Sequence, residues 1–190
     1  MYSHLAQILH GFYSPQYNDI RVNILLFIYE YRNHTKIGID TRQIRYAFPY
    51  LSSSGIRGHI VVLQKSQIIY PPQEVDNIYI LKPHIISFLE ELERVSSYQE
   101  ISFPQLLTHV GYIGKHPRRL ELLHTIYTHA PLTCQQLRSE TRIDMTNLRH
   151  MVDTLVTYSL IEKWIENGKA TVQITPRGHE IICLILTYLA

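Results

Sequence analysis

The fold of this chain is decided most clearly by residues 144–178, which read DMTNLRHMVDTLVTYSLIEKWIENGKATVQITPRG. The apolar residues between Leu148 and Leu155 recur at intervals of three and four, which is the spacing of one buried helix face. Asn167-Gly168 then separates two short runs. Asn-Gly is the strongest two-residue signal for a hairpin, because both positions must accept positive φ. Pro176 follows the second run and is typical of the first turn of a helix. The stretch therefore predicts a helix, a β-hairpin and a second helix.

Two further helices are predicted immediately before this stretch. Residues 118–129 place Leu120, Leu123 and Tyr127 on one face at helical spacing. The sequence Thr133-Cys134-Gln135-Gln136 has the pattern of a capping box. In that pattern a side-chain oxygen accepts from the backbone three residues on, and the Gln returns the bond. A helix is therefore expected to follow Thr133.

The first half of the chain repeats this order. Asp40-Thr41-Arg42-Gln43 has the same capping-box pattern. When Ile56 is placed opposite Leu148, Arg57 meets Arg149 at the same offset of 92 residues, and the capping boxes match at an offset of 93. An internal duplication is therefore predicted.

The duplication divides the chain into three predicted parts. Residues 1–96 are an N-terminal domain with a leading helix, and residues 116–190 are a C-terminal domain. Residues 97–115 are a linker that contains a helix from Pro104 to Gly111 and has no counterpart in the repeat. The polar residues 74–77 are predicted to form the turn between the two strands of the first domain.

The order helix, helix, helix, strand, turn, strand, helix is that of the winged helix-turn-helix. Residues 116–190 resemble transcriptional regulators of the MarR and PadR type. The resemblance lies in the stripe from Leu148 to Leu155, in Leu160-Ile161-Glu162-Lys163 and in Ile174-Thr175-Pro176-Arg177-Gly178, which is similar to the Leu-Thr-x-x-Gly that ends the family's wing. The first half is similar in layout and keeps Leu81-Lys82-Pro83. The resemblance implies a mainly α fold with small β-wings (α+β), built from two winged helix-turn-helix domains in tandem.

A winged helix-turn-helix places its third helix in the major groove, where the N-terminal side chains of that helix reach base edges. Asn suits adenine, and Arg suits guanine or a phosphate. The resemblance therefore implies contacts with double-stranded DNA by both halves. In the second half the expected residues are Thr146, Asn147, Arg149 and His150 on the helix, Lys169 and Thr171 in the wing, and Arg177 at the last helix. In the first half they are Ser53, Ser54, Arg57 and Lys65, with Arg42 and Arg45 on the preceding helix.

Net charge alone does not indicate a nucleic acid. The formal net charge is +2, and each half carries 9 Lys and Arg residues against 8 Asp and Glu residues. A DNA-binding face must therefore come from local clustering. Asp144 and Asp153 are expected to face the same way as Arg149 and to oppose DNA. One of Val61 and Val62 is expected to face outward, which suits a protein contact better than a phosphate.

These features lead to a sequence-specific, DNA-binding transcriptional regulator that acts as a dimer. Two alternatives stay open. One is a tandem winged-helix module for protein interaction, as in chromosome-segregation, membrane-trafficking and general transcription assemblies. The other is a plasmid-maintenance or replication-initiation protein that binds DNA. The surface charge along the third helices and wings distinguishes these alternatives. A continuous positive stripe would support DNA binding, and basic residues that are scattered and paired with carboxylates would support a protein partner.

The terminal helices are the predicted contacts of a homodimer. The run from Ile181 to Leu189 is apolar nearly all round, so part of it would be exposed in a monomer. Exposed apolar patches generally mark a partner surface. The residues expected at this interface are Leu5, Ile8, Leu9, Phe12, Ile182, Ile185, Leu186 and Leu189.

No catalytic, cofactor or metal site is predicted, and an enzyme is not expected. Two cysteines, Cys134 and Cys183, supply neither a disulfide framework nor a zinc set, which fits a reducing compartment. The N-terminus lacks the pattern of a signal peptide. No apolar stretch approaches the roughly 20 residues of a membrane span. The chain is therefore expected to be cytoplasmic and to have no membrane partner.

Overall fold

The computed structural model describes residues 2–13, 20–32, 38–71 and 78–190, which form helices and short antiparallel strands. The first half contains α1 Tyr2–His10, α2 Ile20–Tyr31, β1 Ile39–Asp40, α3 Thr41–Ala47, α4 Ser53–Lys65, β2 Ile69–Tyr70, β3 Ile78–Leu81 and α5 Pro83–Tyr98. The second half contains α6 Phe103–Gly114, α7 Pro117–His129, β4 Leu132–Thr133, α8 Cys134–Thr141, α9 Met145–Thr157, β5 Ile161–Glu166, β6 Lys169–Ile174 and α10 Pro176–Tyr188. Within the described residues the same order of elements therefore occurs twice, and the expected α+β class is confirmed.

Both predicted capping boxes are formed. The backbone N–H of Gln43 donates to Asp40 Oδ1 at 2.8 Å, and the backbone N–H of Asp40 donates to Gln43 Oε1 at 2.8 Å. In the second half, the backbone N–H of Gln136 donates to Thr133 Oγ1 at 3.3 Å, and Gln136 Oε1 accepts from the backbone of Thr133 at 2.8 Å. These bonds satisfy N–H groups that the first turn of a helix leaves unpaired, so they fix where α3 and α8 begin.

The two sheets have the same topology and register. Their strand orders are β1-β3-β2 and β4-β6-β5, with all neighbours antiparallel. Ile39 lies opposite Tyr79 in the first sheet, and Leu132 lies opposite Val172 in the second. Each of these second-half residues is 93 positions after its first-half equivalent. The internal duplication predicted from the sequence is therefore confirmed at the level of strand pairing.

Glycine shapes the β5–β6 hairpin and its exit. The hairpin turns at Asn167-Gly168, where both φ angles are positive (50° and 72°), as predicted. After β6, a Cβ on Gly178 would collide with the carbonyl group of Leu160. Only glycine therefore lets the start of α10 lie against the segment that leads from α9 to β5. The turn predicted at residues 74–77 lies outside the described residues.

The two halves pack through equivalent helices. α1 packs most extensively on α6, which holds the same place in the second half, and α5 packs on its own equivalent, α10. The contacts of α1 with α7 are mirrored by contacts of α6 with α2. Such reciprocal contacts are those of an isologous interface, in which two copies are related by a two-fold axis. Equivalent helices of the two halves therefore pack on each other within one polypeptide, although α5 also packs on α6 without an equally extensive contact between α10 and α1.

Backbone contact makes the α1–α6 crossing close. A Cβ on Gly111 would lie 2.7 Å from the carbonyl carbon of Phe12, and a Cβ on Gly114 would collide with Leu9. These two glycines let α1 approach the backbone of α6. Together with the other buried apolar residues, the crossing belongs to a hydrophobic core that runs through both halves.

The predicted homodimer surface on the terminal helices is wrong, because the other half of the same chain covers it. Those side chains are buried by intramolecular packing, with Leu186 partly buried, and they are Leu5, Ile8, Leu9, Phe12, Ile182, Ile185, Leu186 and Leu189. The predicted linker helix is longer than Pro104 to Gly111, and it does have a counterpart, α1. Among the described residues, no helix combines the length and the hydrophobicity needed to cross a bilayer.

Candidate nucleic-acid interface

The helix pair α3–α4 lies in the most basic segment of the chain. No Asp or Glu occurs between Asp40 and Glu74. The same segment has four basic residues, all exposed, and these are Arg42, Arg45, Arg57 and Lys65. The formal net charge of residues 41–73 is therefore +4, with Asp40 as the carboxylate directly before them.

The equivalent segment of the second half, residues 134–166 at the offset of 93, has a formal net charge of −1. Its basic residues are Arg138, Arg142, Arg149 and Lys163. Its acidic residues are Glu140, Asp144, Asp153, Glu162 and Glu166. The two halves share a fold but differ in charge at the surface that the resemblance assigns to DNA.

The outer face of α3 combines cations with an aromatic ring. Arg42, Arg45 and Tyr46 are spaced by three and four residues, which places them on one face, and all three are exposed. They line a shallow depression together with Ala47 and Pro49. The guanidinium of Arg42 is 3.8 Å from Asp40 Oδ2. Because the Arg42 side chain is 95% exposed, this pair is weak and leaves the cation available to a ligand.

The N-terminus of α4 presents hydroxyl groups. Ser52 caps the helix by accepting from the backbone N–H of Gly55 at 3.1 Å, and the hydroxyls of Ser52 and Ser54 lie 3.0 Å apart. Ser53 and Ser54 are exposed in this first turn. The unpaired N–H groups and the positive dipole end of a helix favour anions at this point. The serines therefore lie at a helix end that favours anions.

The outward face of α4 continues from Ser54 through Arg57, Gly58 and Val61 to Lys65, all of which are exposed. A Cβ on Gly58 would contact nothing within 4 Å, so internal packing gives no reason for a glycine. The outward valine expected from the sequence is Val61. Lys65 is about 18 Å along the helix from the N-terminal serines, so it cannot share a contact with them.

The N-terminus of α9 is occupied by its own cap. Asp144 accepts from the backbone N–H of Asn147 at 3.0 Å and also from the Asn147 side-chain amide. These bonds hold the pKa of the Asp144 carboxyl below its usual value, so it stays charged. Thr146, Arg149 and His150 are exposed beside it. Asn147 must therefore give up a charged partner before it can bind a base.

An ion pair also ties α9 to its hairpin. Lys163 Nζ on β5 lies 2.7 Å from Asp153 Oδ1 on α9. Asp153 therefore has a cation of its own and does not lie free beside Arg149. Lys169, at the start of β6, is exposed and accessible to a ligand.

Two of the predicted contact residues are placed against the prediction. Thr171 is buried on β6, where it pairs with Trp164 on one side and Thr133 on the other. Arg177 is half-buried, and its guanidinium donates to the Gln99 side chain at 2.6 Å and to the Gln99 backbone at 3.3 Å. Arg177 therefore joins the two halves, and its hydrogen-bonding capacity is largely used inside the chain.

The described residues contain no group of three or more His, Cys, Asp or Glu side chains arranged to hold a metal ion. His179 Nδ1 and Cys183 Sγ, one helical turn apart, are 3.7 Å from each other and form only a pair. Both cysteines are free thiols.

No family model, curated protein or solved structure matches this chain.

The charge difference between the α3–α4 and α8–α9 segments was not predicted from the sequence, because the charge was averaged over each half. The long interval without Asp or Glu is nevertheless visible in the sequence. The exposed rings of Tyr46 and Tyr50, in the same interval, were also missed. The sequence does contain a signal for these rings. They are aromatic residues within a basic run, and they do not belong to an apolar stripe with helical spacing.

Proposed function

We propose that this protein is a double-stranded DNA-binding regulator made of two winged helix-turn-helix domains, and that its first half supplies the main DNA contact. The observation that carries the proposal is the α3–α4 surface, where four exposed cations occur in a segment without a carboxylate. Phosphate neutralisation supplies most of the affinity of such proteins, and it requires clustered cations.

The proposed contacts follow from positions on the two helices. Ser53, Ser54 and Arg57 belong to the N-terminal part of α4 and would meet base edges and nearby phosphates in the major groove. Arg42 and Arg45 on α3 would bind the flanking backbone, which orients the protein without reading sequence. Lys65 lies at the far end of α4 and contributes only to the overall field.

We propose that the second half contributes less to DNA binding than the first half, although its sequence resembles regulators more closely. Arg149 and Lys169 are exposed, but residues 134–166 have a formal net charge of −1 and Asn147 is bound to Asp144. Because equivalent helices of the two halves pack on each other within one polypeptide, one chain presents both third helices. We therefore propose DNA binding by the monomer.

The test is fluorescence anisotropy of a labelled duplex pool at several salt concentrations. Replacing Arg42, Arg45 and Arg57 together by Ala is expected to weaken binding. It is also expected to reduce the slope of log K against log salt by about 0.9 for each phosphate that the variant no longer neutralises. The control Arg138→Ala with Arg149→Ala is matched to Arg45→Ala with Arg57→Ala, at the equivalent positions of the duplication, because the equivalent of Arg42 is Gln135. This control is expected to change the slope less.

Two results would count against the proposal. If the parent protein does not bind duplex at low salt, DNA binding is refuted. If the control variant loses as much affinity as the α3–α4 variant, the first half is not the main contact, and the cations of α3 and α4 do not determine where DNA binds.

A specific observation favours a second function for the second half, a protein contact of the kind found in assembly modules. Ile165 on the hairpin is 68% exposed, beside the Lys163–Asp153 ion pair. An exposed apolar side chain on a surface of mixed charge suits a protein partner better than a phosphate backbone. Ile165→Ser would be expected to abolish capture of such a partner while leaving anisotropy with DNA unchanged.

A further inference from the structure

The largest exposed aromatic surface of the described residues coincides with the basic segment. Tyr46 is 90% exposed and Tyr50 is 66% exposed. Both belong to the interval without Asp or Glu that also contains Arg42, Arg45 and Arg57. Tyr46 shares one depression with Arg42 and Arg45, and Tyr50 follows four residues later in the same basic segment.

The position of each ring is defined by the fold. Tyr46 is in the last turn of α3, next to Arg42 and Arg45 in the same depression. Tyr50 lies in the short connection to α4, and its ring is nearly perpendicular to that of Phe48, with centroids 6.2 Å apart. Phe48 is buried, and its ring is perpendicular to that of Phe27 at 5.7 Å. Contact with Phe48 therefore positions the ring of Tyr50, most of which stays exposed.

Exposed rings beside guanidinium groups are the elements of a site for unpaired nucleic-acid bases. Such sites combine cations that follow the phosphate backbone with aromatic side chains on which bases stack. A base inside a duplex offers only its edges in the grooves, because its two faces are covered by neighbouring bases. Unpaired bases expose these faces, so only they can stack on Tyr46 and Tyr50.

We propose that Tyr46 and Tyr50 form a stacking platform for unpaired bases, and that Arg42 and Arg45 bind the adjoining phosphates. The preferred ligand is DNA in which a single-stranded segment adjoins a duplex held by α4. The inference rests on the proposed function in one respect, that the α3–α4 surface faces DNA. A nucleic acid fits this surface better than an acidic or apolar peptide, because it supplies regularly spaced phosphates together with flat apolar faces.

The test compares three labelled DNAs by fluorescence anisotropy: a duplex, the same duplex with a single-stranded overhang, and the overhang strand alone. Tyr46→Ala and Tyr50→Ala are each expected to weaken binding of the two DNAs with unpaired bases about tenfold and to leave duplex binding nearly unchanged. Tyr46→Phe and Tyr50→Phe keep the ring and are expected to retain parent affinity. The matched control is Tyr98→Ala, since Tyr98 is 51% exposed on α5, outside the basic segment.

A second readout detects stacking directly. A fluorescent base analogue placed in the overhang is expected to be quenched on binding the parent protein and the Phe variants, but not the Ala variants. Both tyrosines are largely solvated, so circular dichroism of the Ala variants is expected to match the parent, and weaker binding cannot then be assigned to unfolding.

Three outcomes would overturn the inference. One is an equal decrease in affinity for all three DNAs. Another is unchanged affinity in both Ala variants while Arg57→Ala still weakens duplex binding, in which case the proposed function stands and the platform does not. The third is that Tyr46→Ala changes the sedimentation coefficient and not the DNA affinity, which would make the rings a self-association surface. Failure of the parent to bind any DNA would instead refute the proposed function, and the platform with it.

Discussion

Protonation of His109 is expected to destabilise the protein, because this side chain is buried in α6 against the end of α9. His109 is only 8% exposed, and its ring stacks on that of Tyr158 with centroids 4.2 Å apart. Its Nδ1 has no hydrogen-bond partner. Burial, followed by the positive charge of Arg177, lowers the pKa of His109 to about 4. The other groups close to the stack include Tyr13, Arg119 and Tyr112, whose ring is perpendicular to that of Tyr158 with centroids 5.0 Å apart.

The size and the sign of the effect follow from linkage. In the unfolded chain His109 has a pKa near its usual value of 6.5, so the unfolded state binds the proton first as the pH falls. The stability contributed by the neutral, buried ring is therefore complete above about pH 6.5 and is lost progressively towards pH 4. A pKa difference of this size corresponds to about 3 kcal/mol of unfolding free energy. Arg119 lies over the ring of Tyr112 and is a cation, so it does not stabilise the protonated form of His109.

The assay is urea unfolding of the parent and of His109→Phe between about pH 7.5 and about pH 4.5. Phe keeps the stack on Tyr158 and cannot be protonated. As the pH is lowered, the unfolding free energy of His109→Phe is therefore expected to decrease less than that of the parent. The difference between the two decreases is expected to be nearly the whole of the ~3 kcal/mol given above. Taking the difference between the two proteins removes the contributions of His10, His59 and His84, whose pKa values are also lowered by burial. Parallel stability curves for the two proteins would show that protonation of His109 does not destabilise the fold.

Three further predictions concern the folded state. Gly58→Ala is expected to raise the free energy of unfolding by about 1 kcal/mol, since the added methyl group meets nothing and alanine favours a helix; an unchanged urea midpoint would contradict this. Gly114→Ala is expected to destabilise by several kcal/mol and to make α1 sensitive to limited proteolysis, because the methyl group collides with Leu9; a folded variant with a protected N-terminus would argue against the close crossing. Breaking the Lys163–Asp153 pair with Lys163→Met is expected to cost less than about 1 kcal/mol in thermal unfolding, since both side chains are partly solvated.

Local features of the fold were predictable because their causes lie within a few residues. The capping box at Asp40 and the hairpin at Asn167-Gly168 depend on side-chain chemistry at fixed short spacing, and both are present as predicted. The offset between Ile56 and Leu148 also predicted the duplication, because equivalent positions of a repeated fold need the same pattern of burial. The burial of α10 was not predictable, because it depends on α5, which is distant in the sequence.

The candidate site was predicted in part for the same reason. Residues at the start of a third helix, such as Ser54 and Arg57, are exposed wherever that helix forms. The DNA contacts predicted for Thr171 and Arg177 were wrong because their environments depend on residues distant in the sequence. Thr171 is buried by strand pairing, and Arg177 is hydrogen-bonded to Gln99. The basic interval around Tyr46 was overlooked because opposite charges elsewhere in the half cancel it in any average.

The pairing of α1 with α6 and of α5 with α10 has a consequence for how the protein responds to dilution and to change. Two separate subunits would dissociate as their concentration falls, whereas two halves of one chain keep a fixed stoichiometry at any concentration. A substitution in a homodimer also changes the same surface of both subunits. In this chain it changes the surface of one half only. The α9 segment can therefore carry carboxylates while residues 41–73, which contain α4, carry none, so the two halves need not keep equivalent surfaces.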